Sequence, residues 1–387
     1  MLRVVNAIAY RGTPVQVEGK RQWNIVPGVP WDVNSNTVVD FVQKANKKID
    51  GGAKEYSTFR PLGPATSPRE LPLILQSYLG TEQTSEEFER FHNNYTQHKL
   101  KSNLRKSNLS EGAVIVFIHY QILTDRVVVL DQDGQEIPEE TVEPELVGSK
   151  FSMLMVRNTG ALKFTDDLQI DSTDVIDLKQ FVQGFQIDLN RFEAHDHNSE
   201  LIDNYILLIK GSADVRDYFK EAIYAVSGAS NKQSSEQLKI AFYDFCAEYE
   251  DELDRDVKDI LEAKLYSVSE EYKKQPVTLE FISAALDECI PAELEQEHQL
   301  RGKFLDFANE GDYEINDEFE ITSSITHDFK FVDLDVDIGI LKLTKAQIGV
   351  SADETRDIHF DEETNELSIK TTLTEQKHID AIRRIIG

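Results

Sequence analysis

Four cations lie close together near the predicted C-terminal end of a helix that begins at about residue 84. They are Lys99, Lys101, Arg105 and Lys106. Cations at this end of a helix offset the helix dipole, and clustered cations also neutralise the phosphates of a nucleic acid. Four cations in eight residues exceed what the dipole requires, so we predict a phosphate-contacting patch here.

Three further lysines form a second candidate patch. They are Lys44, Lys47 and Lys48. The spacing of apolar residues predicts a helix over Thr37–Ile49, and the three lysines lie off its apolar face or at the edge of that face. As phosphate contacts they would position the protein without reading bases.

A group of acidic residues raises the alternative of a metal-dependent nuclease. Glu262-Ala263-Lys264, with Asp256 and Asp259 nearby, is similar to the ExK arrangement of such enzymes. A nuclease needs these residues on a strand beside another acid, where they hold a metal ion against the scissile phosphate. Here they fall in a predicted helix with ordinary charge pairing four residues apart. Nuclease activity is therefore the least favoured of the functions considered.

Other motifs with catalytic or metal-binding potential have simpler explanations. Asp131-Gln132-Asp133 follows an apolar strand, but Asp133-Gly134 is a typical hairpin turn. His195-Asp196-His197 lacks a third metal ligand in view, and His119 fits a buried core position. The sequence has no glycine-rich phosphate loop and no serine or cysteine elbow. We expect no catalytic residue, no metal and no cofactor.

Composition and charge narrow the class of protein. The 387 residues carry a net charge of −29, with 40% hydrophobic residues and two cysteines outside any CxxC motif. This length allows two or three domains, and no apolar run is long enough to span a membrane. The first 110 residues hold 15 Lys and Arg against 10 Asp and Glu, so the excess of acid lies after them. Any nucleic-acid surface is expected in this N-terminal third. The pattern fits a cytoplasmic protein with reduced thiols.

The elements that must position these residues form an α+β protein. Strands are predicted at Gly112–Leu123, Arg126–Leu130, Phe151–Val156, Phe185–Phe192 (alternating, half-buried) and Tyr205–Ile209. Tight turns between successive strands favour an antiparallel meander. Capping-box patterns at Thr84–Glu87 and Ser234–Gln237 predict helix starts.

We predict four regions along the chain. Residues 1–110 form a helical and β portion with a Gly/Pro-rich loop at 51–68. Residues 111–230 form an antiparallel β-rich core that ends in an amphipathic helix, residues 231–300 an acidic helical segment, and residues 301–387 a small C-terminal α+β unit. That last region includes a hairpin over Ile358–Lys370 and a terminal helix.

Three stretches together resemble a known family. They are the hairpin Ile358–Lys370, the strand block Gly112–Leu130 around His119-Tyr120, and the strand, Lys-Gly turn and aromatic helix of Tyr205–Gly228. In order and spacing they are similar to the bacterial nucleoid-associated proteins of the NdpA/YejK type, from about residue 110 to the end. The resemblance implies a cytoplasmic bacterial protein found with the nucleoid, a homodimer, and a DNA or DNA-enzyme partner. It implies no reaction.

The expected function is that of a non-enzymatic, nucleoid-associated protein. It would bind double-stranded DNA, or nucleoid proteins on the DNA, through local basic patches on an acidic body. The alternative is a protein-interaction subunit of an anti-phage or chromosome-processing complex. In that case the acidic helices of Ser234–Glu297 would dock a basic partner.

Overall fold

The computed structural model describes residues 1–50, 54–107, 112–124, 144–156, 167–168, 181–195, 204–210, 217–226, 231–311, 313–337, 339–350 and 355–386. The chain forms two compact units, one of Met1–Leu238 with Leu305–Asp317, the other of Lys239–Phe304 with Glu318–Gly387. The predicted strand at 126–130, the turn at 131–134 and residues 212–216 lie outside the described residues.

An antiparallel sheet of seven described strands is the centre of the first unit. In chain order its strands are β1 (Leu2–Val17), β2 (Lys20–Pro27), β3 (Lys54–Ser57), β4 (Ala113–Leu123), β5 (Leu146–Val156), β6 (Phe181–Asp188) and β7 (Ile206–Lys210). They lie side by side in the order β2-β1-β4-β5-β6-β7-β3. Because β4, β5 and β6 each pair with the next described strand, the predicted meander is confirmed from β4 to β7.

Helices cover both faces of this sheet. On the first face, which we call the α1 face, α1 (Asn36–Asp50) packs its Phe41 against a core with Val116 of β4. The second face, the α4 face, carries α2 (Leu71–Leu79), α3 (Ser85–Tyr95), a π-helical turn (Thr96–Leu100), α4 (Lys101–Leu104), α5 (Leu189–Ala194) and α6 (Asp217–Ile223). There Leu104 packs in a core with Phe117 of β4. Successive side chains of a strand point to opposite faces, so β4 supplies both cores.

The half-buried strand predicted over Phe185–Phe192 was wrong in two respects. β6 ends at Asp188, whose carboxylate accepts a hydrogen bond from the backbone N–H of Arg191 (2.9 Å) and caps α5. β6 is also buried on both faces. Gln186, on the side predicted to face solvent, is buried and donates a hydrogen bond to the Tyr120 hydroxyl (2.8 Å). A polar residue in the alternation therefore marked a buried hydrogen bond and not a solvent-facing side.

Part of the Gly/Pro-rich stretch at 51–68, predicted as a loop, is an edge strand. Residues 54–57 form β3, which pairs antiparallel with β7. Residues that follow the helix Lys303–Glu310 cover the free edge of β3. Asn316 accepts a hydrogen bond from the Tyr56 N–H (3.0 Å), and the Asp317 N–H donates to the Lys54 carbonyl (2.8 Å). A covered edge cannot pair with a strand of another chain.

The second unit is helical first and then mixed. Two helices carry the chain between the units, α7 (Asn231–Glu248) and α11 (Lys303–Glu310). The unit's other elements are α8 (Arg255–Glu271), β8 (Val277–Thr278), α9 (Leu279–Asp287), α10 (Ala292–His298), β9 (Glu318–Phe319), α12 (Ser323–Asp328), β10 (Phe331–Val336), β11 (Gly339–Thr344), β12 (Ile348–Val350), β13 (Ile358–Asp361), β14 (Glu366–Ile369) and α13 (Gln376–Ile386). The hairpin predicted over Ile358–Lys370 is β13–β14.

The α+β class predicted from the sequence is confirmed. The helix start predicted at Ser234 was wrong, because α7 begins at Asn231. Ser234 is instead fully buried, and its hydroxyl accepts a hydrogen bond from the Asn316 N–H (3.2 Å). In the part of the chain that the structure describes, no helix is long and apolar enough to cross a membrane.

Candidate nucleic-acid interface

The lysines of α1 point away from the sheet. The helix buries Phe41, Val42, Ala45 and Ile49 against the α1 face. Lys44, Lys47 and Lys48, which we call the α1 cluster, lie off this buried face or at its edge and are exposed. They occupy positions three and four residues apart, so they form one strip. Among the described residues none of the three is in an ion pair.

The second basic group, the α4 cluster, lies at the C-terminal end of the helical segment that begins with α3, and that segment starts where the sequence predicts. Thr84 and Glu87 form the predicted capping box at the start of α3. The helix continues through the π-helical turn into α4, and Leu100 and Leu104 are fully buried. The members of the cluster are Lys99, Lys101, Arg105 and Lys106.

Two members of the α4 cluster are held by acids of the same fold. The Lys99 ammonium donates a hydrogen bond to Glu70 (2.6 Å), and the side chains are only 21% and 13% exposed. Lys106 forms an ion pair with Glu221 of α6, and its hydrogen bond holds the pKa of Glu221 below its ordinary value. Such pairing reduces the charge that these lysines offer to a ligand.

The other two members are available. Arg105 is exposed and Lys101 is half-buried, and neither forms an ion pair among the described residues. The α1 and α4 clusters lie over opposite faces of the sheet, because their helices pack in its two separate cores. The sequence suggested two patches in one region; the fold separates them.

Two buried histidines fix the helices of the α4 face to the sheet. His119 of β4 forms hydrogen bonds with the Tyr78 hydroxyl (2.8 Å) and with Ser149 (3.0 Å), and Tyr78 also accepts one from Asn6 (3.1 Å). His92 of α3 forms a hydrogen bond with Tyr10. Burial lowers the pKa of His119 to about 4 and that of His92 to about 3. Both are neutral at pH 7, and the interpretation of His119 as a core residue fits this geometry.

Of the predicted HxH motif, only His195 lies among the described residues. It follows α5, and its ring lies 5.0 Å from the ring of Tyr205. Among the residues that the structure describes, no group of three or more His, Cys, Asp or Glu is arranged to hold a metal ion.

The acids of the nuclease-like motif are engaged in ion pairs of the second unit. Glu262 is almost fully buried, accepts a hydrogen bond from Lys345 (2.8 Å) and contacts the Tyr243 hydroxyl. Arg356 binds both Asp256 and Asp259, each at 2.8 Å. These contacts connect α8 to the residues around the strands that follow it.

Sequence reasoning overlooked a basic hairpin beside α4. Residues 13–24 of β1 and β2 pair only with each other in the described structure, since the pairing of β1 with β4 stops at Gly12. The turn is Glu18-Gly19, with φ of 51° and 72°, which suits a tight two-residue hairpin. Lys20 at the turn is exposed. The Glu-Gly pair between alternating segments was the signal that could have revealed it.

Comparisons with known proteins identify the family of this chain. The family model described as nucleoid-associated protein YejK matches residues 31–377. The chain belongs to this family. It is 26% identical over 285 residues to a nucleoid-associated protein of Vibrio campbellii, covering 71% of each chain. It is 25% identical over 303 residues to one of Aliivibrio salmonicida, covering 76% of this chain and 75% of the relative.

A nucleoid-associated protein of Cronobacter sakazakii is similar as well, with 23% identity over 288 residues and coverage of 73% and 72%. The resemblance noted from the sequence is thereby confirmed. The family match includes α1 and the whole of the α4 cluster, both within residues 31–377, and it excludes all of the β1–β2 hairpin.

Proposed function

We propose that this protein acts at the bacterial nucleoid, in the cytoplasm, by binding double-stranded DNA or proteins bound to DNA. The names of its relatives associate them with the nucleoid. Phosphate contact needs cations that the protein has not already neutralised. The observation that carries the proposal is that the α1 cluster is exposed, and forms no ion pair with any described residue, on a chain whose net charge is −29.

Within the two basic groups, we propose a division of roles. Lys44, Lys47 and Lys48 make the principal phosphate contacts, and Lys101 and Arg105 make others. Lys99 and Lys106 contribute less while their ion pairs with Glu70 and Glu221 are intact. Because such contacts touch only the backbone, binding is expected to be tolerant of base sequence.

We propose that the protein is not an enzyme. Glu262, Asp256 and Asp259, the acids that a metal nuclease would use, each form hydrogen bonds with a cation. When the protein is incubated with a labelled DNA duplex and Mg²⁺ or Mn²⁺, the duplex is expected to stay intact. Metal-dependent cleavage by wild type that is lost in the Glu262→Ala variant would contradict the proposal.

We also propose a homodimer. Supporting it, α13 carries three exposed isoleucines, and the last two, Ile385 and Ile386, are each 79% exposed. Apolar side chains at this exposure are typical of surfaces that pair with another molecule. Light scattering across a range of micromolar concentrations is expected to give twice the mass of the chain. A monomer mass throughout would contradict the dimer and leave the DNA proposal untouched.

Fluorescence anisotropy of a labelled duplex across a salt series tests the proposed function. Direct binding is expected to weaken as salt rises, with a slope that reports the number of phosphates neutralised. No binding at 50 mM salt would contradict direct contact. It would favour the other candidate function, in which exposed acids of the helices of Ser234–Glu297 dock a basic protein.

A further inference from the structure

The two basic groups of the first unit are not parts of one continuous surface. α1 packs in one core and α4 in the other, and the sheet lies between these cores. The exposed lysines of α1 point away from the sheet on its first face. Arg105 lies on the helical layer that covers the second face. A straight duplex laid along one face therefore leaves the cluster of the other face unoccupied.

The β1–β2 hairpin enlarges the surface on the α4 face. Trp23 and Ile25 of β2 pack in the same core as Leu100 and Leu104, next to α4. Side chains on a strand alternate, so Arg21 lies on the same side of the hairpin as Trp23. The hairpin is thus adjacent to the helix that carries Lys101 and Arg105.

The shape of the hairpin suits a nucleic acid. Its five residue pairs from Thr13↔Asn24 to Val17↔Lys20 extend about 17 Å beyond the last pairing with β4. A two-stranded ribbon fits the major groove of B-DNA, which is about 12 Å wide. Within residues 11–26 the charged side chains are three cations and one acid, Glu18. This balance is opposite in sign to that of the whole chain.

We propose that one protomer binds two DNA duplexes at once, one on the α1 cluster and the second on a surface made of Lys101, Arg105 and the β1–β2 hairpin. The inference rests on the proposed function, because it requires that the α1 cluster contacts DNA. Each surface neutralises phosphates independently, since the sheet separates them. The consequence is bridging of two DNA segments, with no need for a second copy of the chain.

Bridging is measured by capture. A biotinylated duplex on beads retains a fluorescent duplex only if the protein holds both. Wild type is expected to give a bell-shaped capture curve, because excess protein coats each duplex separately. Two variants each remove three cations from one surface, Lys44/Lys47/Lys48→Ala and Arg21/Lys101/Arg105→Ala. A third variant, Lys232/Lys273/Lys377→Ala, removes three exposed lysines elsewhere and serves as the control.

Each single-surface variant is expected to bind one labelled duplex, more weakly than wild type, and to lose capture by at least tenfold. The control is expected to capture as wild type does. Capture that persists in either surface variant, at the protein concentration that gives the wild-type maximum, would overturn the proposal, because a dimer that bridges through two copies of one surface needs only that surface. Absence of capture by a wild type that binds duplex would also overturn it. A wild type that binds no duplex contradicts the proposed function itself.

Discussion

The α1 and α4 clusters have similar charge in the sequence and different surroundings in the fold. All three lysines of the α1 cluster are exposed and outside any described ion pair. In the α4 cluster, Lys99 and Lys106 are paired with acids. This difference shows that the cations of one cluster can have two separate roles. Some of its members stabilise the fold, and only the remainder are available to a ligand.

The two faces of the sheet also differ in how their helices are attached. On the α1 face, the buried contacts of the described residues include a hydrogen bond that Tyr120 donates to Asn46 (2.5 Å) and involve no buried histidine. On the α4 face the contacts include His92 and His119. The α4 face should therefore respond to acid, and the α1 face should not.

The largest expected effect is the loss of stability on acidification that follows from the buried histidines of the α4 face. In the unfolded chain each histidine takes up a proton near pH 6.5, whereas in the fold His119 does so only near pH 4. The unfolded state thus binds more protons between these values, and stability falls as pH falls. The loss is about 1.4 kcal/mol per pH unit for each histidine. Urea unfolding from pH 6.5 to 4.5 measures it.

His119→Gln separates the contribution of this histidine from that of the carboxylates. Its stability is expected to fall less steeply with acid than that of wild type, by about 1.4 kcal/mol per pH unit. His378→Gln, at an exposed position of α13, is the control and should keep the wild-type slope. Equal slopes for all three proteins would mean that His119 is not held neutral by burial.

A smaller effect on stability distinguishes the two clusters directly. Lys99→Met keeps most of the aliphatic stem and removes the charge that Glu70 requires. We expect a loss of about 1–3 kcal/mol in the free energy of unfolding, because Glu70 is left largely buried without its partner. Lys47→Met should change it by less than about 0.5 kcal/mol, as is usual for an exposed position. Similar losses at both positions would remove the distinction between the clusters.

The smallest expected effect is a gain in affinity for duplex DNA. Glu221→Gln removes the carboxylate that pairs with Lys106 and so releases a cation on the α4 face. Affinity for duplex DNA should rise severalfold, with a salt slope steeper by about one. Glu236→Gln removes an equal charge from the exposed Lys232 pair on α7 and is the matched control. An equal gain in both variants would indicate a general charge effect and no role for Lys106.

What the sequence predicted well depends on neighbours along the chain. The capping box at Thr84, the helix of α1 and the side on which its lysines lie follow from spacings of three and four residues. What it missed depends on distant partners. Lys106 meets Glu221 across 115 residues, and Gln186 meets Tyr120 across 66. No periodicity carries such information, so paired and unpaired cations looked alike.

The same reason explains the error at β3. Lys54–Ser57 is a short stretch between glycines and prolines, and its strand conformation is fixed by pairing with β7, about 150 residues later. Local propensity favoured a loop, and tertiary pairing overrode it.

The most direct test of the account is the salt dependence of duplex binding by Lys44/Lys47/Lys48→Ala. Compared with Lys232/Lys273/Lys377→Ala, which loses the same charge, its slope of log affinity against log salt should be shallower by about three. That result would support the α1 cluster as the principal phosphate contact. Equal slopes for the two variants, with binding retained, would contradict it.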